Sequence, residues 1–220
     1  IEVKLFNPYR FRKYRALDMV LDLKRINRRM HNKSFIADHQ VALIGGRNMT
    51  NQYYNVSDNY QFSDVDVMLV GTAVTDISQS FDEYWQHNYA YDVREIVNQK
   101  SHRLSYKSLK QQLDEHYKRA TVQNYLDLTS NSQAIDSIIS RDIPLNWVKA
   151  EVVKDSPDKI KSKAKKQEHL NFQLINHLEQ PEKNIDLISA YFVPEKKGAK
   201  ILNELAQDGI EVRVLTNSFQ

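Results

Sequence analysis

The residues best suited to chemistry stand close together early in the chain: Met30-His31-Asn32-Lys33-Ser34-Phe35-Ile36-Ala37-Asp38, then Ile44-Gly45-Gly46-Arg47-Asn48. Read as a strand, the first stretch sends side chains two apart to one face. His31 and Lys33 then project together, roughly 7 Å apart along the chain, with Asn32 and Ser34 facing away. A turn at Asp38-His39 folds the second stretch back and returns Asn48 to the level of the His–Lys pair. An imidazole is a nucleophile or base near neutral pH. An ammonium beside it neutralises an anionic oxygen, and the Asn48 amide can donate to another. Glycines at 45 and 46 let the backbone approach a bulky group closely. One imidazole, one fixed cation and amide donors suit phosphoryl transfer, where positioning and charge stabilisation do most of the catalysis. Asp38 could orient the imidazole or balance the lysine, or simply serve a turn.

The spacing His-x-Lys-x4-Asp-x6-Gly-Gly-x-Asn, carried by His31, Lys33, Asp38, Gly45, Gly46 and Asn48, resembles the motif of the phospholipase D superfamily. The first three positions alone arise by chance in roughly one chain in a hundred of this length, and all six in about one in 10⁵. The likeness runs further. Arg28–Phe35, Phe62–Val67, Ser80–Trp85, Ile188–Pro194 and Val212–Ser218 are similar to segments of the bacterial cardiolipin synthase branch, especially its C-type members.

The resemblance implies a two-lobed α/β fold in which each lobe gives one His-Lys-Asp motif to a shared site. It implies a covalent phosphohistidine formed without metal or other cofactor, with His31, Lys33 and Asp38 catalytic and Asn48, Gly45 and Gly46 at the phosphate. The implied partners are a phospholipid of the phosphatidylglycerol or phosphatidylethanolamine class and an anionic membrane surface. The implied location is peripheral, on the bacterial cytoplasmic membrane. This chain holds only one such motif. His169 and His177 lack the pattern, so a second lobe is expected either beyond Gln220 or from a second chain, as in single-motif nucleases of the superfamily. A lobe that binds phosphate or lipid without turnover is the non-catalytic alternative.

The elements that must position these residues follow from periodicity. Ile1–Phe6 alternates as a strand. Residues 10–29 are rich in Arg and Lys, with Leu17, Val20, Leu21, Leu23 and Ile26 at near-helical spacing, which predicts one or two short basic helices. Met30–Ala37 and Val41–Ile44 form a hairpin, and Val65–Val70 is a further strand. Ser78–His87 is a helix bearing Phe81, Tyr84 and Trp85, and two or three more helices follow to about Ser140. Leu145–Val153 reads as a strand and 155–166 as an exposed basic loop around Pro157. The chain then runs through a helix at Gln167–Leu178, a strand at Ile185–Phe192, a helix at Lys197–Gln207 stopped by Asp208-Gly209, and a strand at Ile210–Leu215. This order predicts a mixed-sheet α/β protein flanked by helices. It divides into a first lobe over 1–153, a basic linker and helix over 154–184, and the start of a second lobe over 185–220.

Composition bounds the alternatives. The 220 residues are 41% hydrophobic and 27% charged, an ordinary globular balance. Thirty-one Lys and Arg against 28 Asp and Glu leave a net charge of only +3, which counts against nucleic acid held by bulk charge. There is no cysteine, which excludes disulfide scaffolds, thiolate zinc sites and cysteine nucleophiles. No apolar run approaches the ~18 residues of a membrane span. The opening at Ile1, already in a strand pattern, suggests a longer polypeptide. Arg28, Arg29 and Arg47 read as solvated or ion-paired, Asp64 and Asp66 as loop-holding partners for a nearby arginine, Tyr53-Tyr54 as a rim and Tyr84-Trp85 as core.

Overall fold

The computed structural model describes residues 1–11, 13–54, 56, 60–96, 105–161, 164–178 and 181–217. The chain divides into two compact units, Ile1–Val152 and Val153–Gln220.

In the first unit, β1 (Lys4–Phe6) leads into α1 (Arg15–Ile26), which is broken at Asp22 where φ leaves the helical region. β2 (Ser34–Ala37), β3 (Val41–Gly45) and β4 (Asp66–Val70) form an antiparallel sheet in that order. Asp38 and His39 adopt positive φ of 51° and 54°, and Gln40 N–H donates to the Ala37 carbonyl at 3.0 Å, so the hairpin closes tightly. Asp is among the residues that tolerate this conformation. Ile36, Ala42 and Leu69 share one cross-strand row. They meet Val74 and Ile77 of α2 (Thr72–Trp85), with Ile44 and Val152 completing the cluster. Alternation in the strands and helical spacing in α2 thus converge on one small core, which fixes the sheet and both ends of the hairpin.

β5 (Ala90–Asp92) pairs antiparallel with β1, a strand too short for the sequence pattern to reveal. Phe6 packs against Tyr84 with ring centres 5.0 Å apart, so the core role read for Tyr84 holds in part. Phe81 stacks on Trp85 near the surface. The Arg94 guanidinium grips Asp92 and holds its carboxyl at about 2, below the usual carboxylate range. Then follow α3 (Val93–Ile96), α4 (Tyr106–Tyr117), α5 (Ala120–Ser130) and α6 (Gln133–Ser140). Leu145–Val153 is not a strand: it has no regular structure. Among the described residues its apolar side chains find no strand partner, and Val152 is the one of them that packs onto the core cluster.

In the second unit, a 3₁₀ turn at Pro157–Lys161 buries Pro157 and Ile160. The segment read as an exposed loop is therefore partly anchored by Pro157 and Ile160. Residues 162 and 163 of that run lie outside the described residues. α7 (Leu170–Leu178) is followed by β6 (Asn184–Ile188), α8 (Glu195–Gln207) and β7 (Glu211–Leu215). β6 and β7 pair in parallel, and Arg213 grips Asp186 across the ladder with bonds of 2.6 and 2.8 Å. Gly209, at φ 88°, ends the helix as its position after Asp208 predicts. The protein is mixed α/β. Its antiparallel and parallel pairings lie in separate sheets, because the β6–α8–β7 ladder belongs to the other unit.

Candidate functional site

A buried polar knot delivers the chain to the site. Asp18 and Arg25 of α1 are 1% and 4% exposed. Arg25 Nη1 donates to Asn7 Oδ1 at 2.6 Å and to the Pro8 carbonyl at 3.1 Å, Nε donates to Asp22 at 2.9 Å, and Nη2 lies 3.6 Å from Asp18. Asp18 accepts the backbone N–H groups of Arg10 and Phe11. Asn7 returns Nδ2 bonds to the carbonyls of Arg25 (3.0 Å) and Arg28 (2.9 Å). These bonds pin the C-terminal end of α1, and with it the exit toward His31, to the loop after β1.

His31 and Lys33 precede β2 rather than lying within it, since ladder pairing starts only at Ser34 opposite Ile44. They are nevertheless together. Lys33 Nζ lies 3.2 Å from His31 Nδ1 and donates to the His31 carbonyl at 2.8 Å. His31 is exposed and Lys33 half-buried. An ammonium only donates, so Nδ1 is the acceptor and a neutral ring carries its proton on Nε2. Among the described residues no carboxylate pairs with Lys33.

Asp38 is not beside them. It stands in the hairpin turn at the other end of β2, five residues from Lys33, or about 16 Å of extended chain. The structure shows what it does there: it opens a turn that needs positive φ.

Gly45 and Gly46 have a local cause the sequence did not reveal. A methyl group on Gly45 would run into the Asp66 carboxylate and come within 2.9 Å of the Val65 carbonyl, and one on Gly46 would lie 2.6 Å from Asp64 Oδ2. The glycines make room for two carboxylates of the chain itself. Asp66 sits directly opposite Gly45 in the ladder and pairs with Arg47 Nε at 2.7 Å. Arg47 also donates to the carbonyls of Tyr53 (2.9 Å) and Asp64 (3.4 Å), and its guanidinium lies over the Tyr54 ring. Arg47 is thus a bracket between the end of β3, the approach to β4 and the 3₁₀ turn Asn51–Tyr53, which agrees with the ion-paired reading of Arg47 and Asp66; Asp64 holds the loop instead, its carboxylate accepting the Val65 N–H at 2.8 Å. Asn48, next in the chain, is exposed and its Nδ2 donates to the Tyr53 hydroxyl oxygen at 3.4 Å. Tyr53 and Tyr54 are half-buried, against Phe62 and Tyr125 respectively.

Gly45→Ala should lower stability by about 1–3 kcal/mol, the usual cost of overpacking, because the nearest obstacles are a backbone carbonyl and an ion-paired carboxylate. Urea denaturation checks this. Adding Asp66→Ala to the same chain should recover part of the loss.

The His31–Lys33 pair can present one ammonium and one imidazole to an anionic oxygen. Among the described residues no group of three or more His, Asp or Glu is arranged to hold a metal ion. No helix among them is long and apolar enough to cross a membrane.

The chain is similar along its whole length to known proteins. It is 35% identical over 223 residues to cardiolipin synthase C of Escherichia coli K12, covering 46% of that protein. It is 31% identical over 221 residues to an uncharacterized protein of Helicobacter pylori strain 26695, covering 43% of it. Over 87% of the chain it is 24% identical to a cardiolipin synthase of Clostridium perfringens strain SM101, of which it covers 32%. The chain spans about half the length, or less, of the curated relatives it matches. No family model matches it, and no solved structure does.

Proposed function

We propose that this chain carries one His–Lys half of the active site of a phosphatidyltransferase of the cardiolipin synthase type. The observation that carries the reading is the Lys33 ammonium held 3.2 Å from the His31 imidazole on an exposed segment. The similarity to one cardiolipin synthase over the full chain and to another over 87% of it supports it.

In the resting arrangement Lys33 Nζ lies against Nδ1 of His31, so that ring nitrogen is engaged. A phosphodiester entering the site competes for the Lys33 ammonium and frees the ring. Lys33 and Asn48 then hold the non-bridging oxygens. His31 takes one of two roles. As nucleophile, a deprotonated ring nitrogen bonds to phosphorus, the P–O bond to the leaving alcohol breaks, and an acid from the matching lobe protonates that alcohol. An acceptor alcohol then breaks the P–N bond and returns a proton. As general acid, His31 acts as the imidazolium, protonated on Nδ1 once Lys33 has moved to the phosphate: it gives its Nε2 proton to the alcohol that leaves as a phosphohistidine forms on the other lobe, and is left a neutral ring. The second lobe, in residues 185–220 and beyond or from a second chain, completes either version. The substrate would be a phospholipid, which puts the protein at the surface of the bacterial cytoplasmic membrane.

The test uses the full-length protein with labelled phosphatidylglycerol in EDTA. Transfer of the phosphatidyl group to a second lipid alcohol is expected, with an acid-labile phosphatidyl-histidine on quenching. Absence of both transfer and adduct, or cleavage of DNA in place of lipid, would overturn the reading.

A further inference from the structure

α1 is folded inside out. An amphipathic helix normally buries its apolar stripe and exposes its charges. Here the buried side chains are Asp18, Arg25 and Ile26, while Val20 is 83% exposed and Leu21 68%, with Leu17 and Leu23 also outward. The polar knot described above explains how the charged side can be buried. Among the described residues of the first unit, it leaves the apolar side exposed.

The charge around that side is as uneven. Residues 10–29 hold eight Arg and Lys against two Asp, a net +6, whereas the whole chain is +3, so the other 200 residues together carry −3. Arg10 and Lys13 before the helix and Lys24 on its last turn are exposed. An exposed apolar arc framed by cations, with Tyr14 outward at its start, is the make-up of a helix that lies in the plane of a membrane interface. Basic residues near such a surface add about 1 kcal/mol each against anionic lipid.

We propose that α1 docks this protein onto an anionic phospholipid surface, with Val20 and Leu21 inserted and the flanking cations on the headgroups. The helix ends at Ile26, five residues before His31, so docking would hold the His–Lys pair near the headgroup layer. The choice of partner rests on the function proposed above, but the assay reads binding rather than turnover, so either can fail without the other.

The chain has no native cysteine, which permits a clean probe. Leu21→Cys in the full-length protein, labelled with an environment-sensitive fluorophore, should brighten and shift to the blue on adding vesicles of equal phosphatidylglycerol and phosphatidylcholine. It should respond weakly to pure phosphatidylcholine. The same label at Asn203→Cys, exposed on α8, should not respond. Val20→Asp with Leu21→Asp should weaken co-sedimentation with the anionic vesicles at least ten-fold. Lys13→Glu with Lys24→Glu should weaken it too and flatten its salt dependence, with circular dichroism unchanged in both. A probe already in an apolar setting before lipid is added would overturn the proposal, since another part of the polypeptide or a second copy then covers α1. So would a probe that stays silent with lipid, or aspartate variants that bind as the parent does.

Discussion

Replacing His31 by Ala should abolish phosphatidyl transfer, by about 10³-fold or more, and leave the fold in place. The size follows from either role assigned to the ring, since loss of a nucleophile or of the proton donor to the leaving group removes a group on which the chemical step turns. The indifference of the fold follows from position. His31 is exposed, precedes the first ladder pair of β2, and meets Lys33 rather than the core. Surface changes away from caps and cores usually stay within about 0.5 kcal/mol. Transfer assays and thermal denaturation of the full-length protein check both halves. A large fall in melting temperature would make His31 structural, and undiminished transfer would remove it from the chemistry.

The second large effect lies away from the reacting atoms. Arg25→Ala should destabilise the first unit by about 3–5 kcal/mol, the cost of removing one partner from a buried ion pair. Asp18 would keep its bonds from the Arg10 and Phe11 amides but lose the cation beside it. Asn7 Oδ1 and the Pro8 carbonyl would lose their donor. For a unit of this size the melting temperature should fall by roughly 10 °C. Scanning calorimetry measures it, and a shift of under one or two degrees would mean the knot is not what holds α1 to the β1 loop. Replacing both partners, Asp18→Asn with Arg25→Met, should cost less than Arg25→Ala alone, because no unpaired charge is then left buried.

How much of this could be read from residues alone differs by element. The hairpin was legible because its apolar alternation is flanked by Asp-His and Gly-Gly, and the structure pairs Ser34–Ala37 with Val41–Ile44 in that sense. The break in α1 was half legible, in that the spacing allowed one or two helices; the deviation at Asp22 accounts for both readings. The burial of α1 was not legible. Apolar residues at helical spacing predict an apolar core face, and only the knot of Asn7, Asp18 and Arg25 reverses it. Leu145–Val153 misled because an apolar run carries no information about whether a neighbouring strand exists to pair with it. At the site, the closeness of His31 and Lys33 follows from a separation of two residues. The distance of Asp38 follows from the strand between, which the motif spacing passes over. The carboxylates over Gly45 and Gly46 come from the start of β4 and the residues just before it, some twenty positions away and beyond the reach of any local pattern.

Those two glycines tie distant stretches of the polypeptide into one unit of inheritance. Whatever stands at 45 and 46 limits how long the side chains at 64 and 66 can be, and the reverse holds equally. A descendant that enlarges one position must first shorten the other. The order of those steps is constrained even if no ligand ever touches either pair.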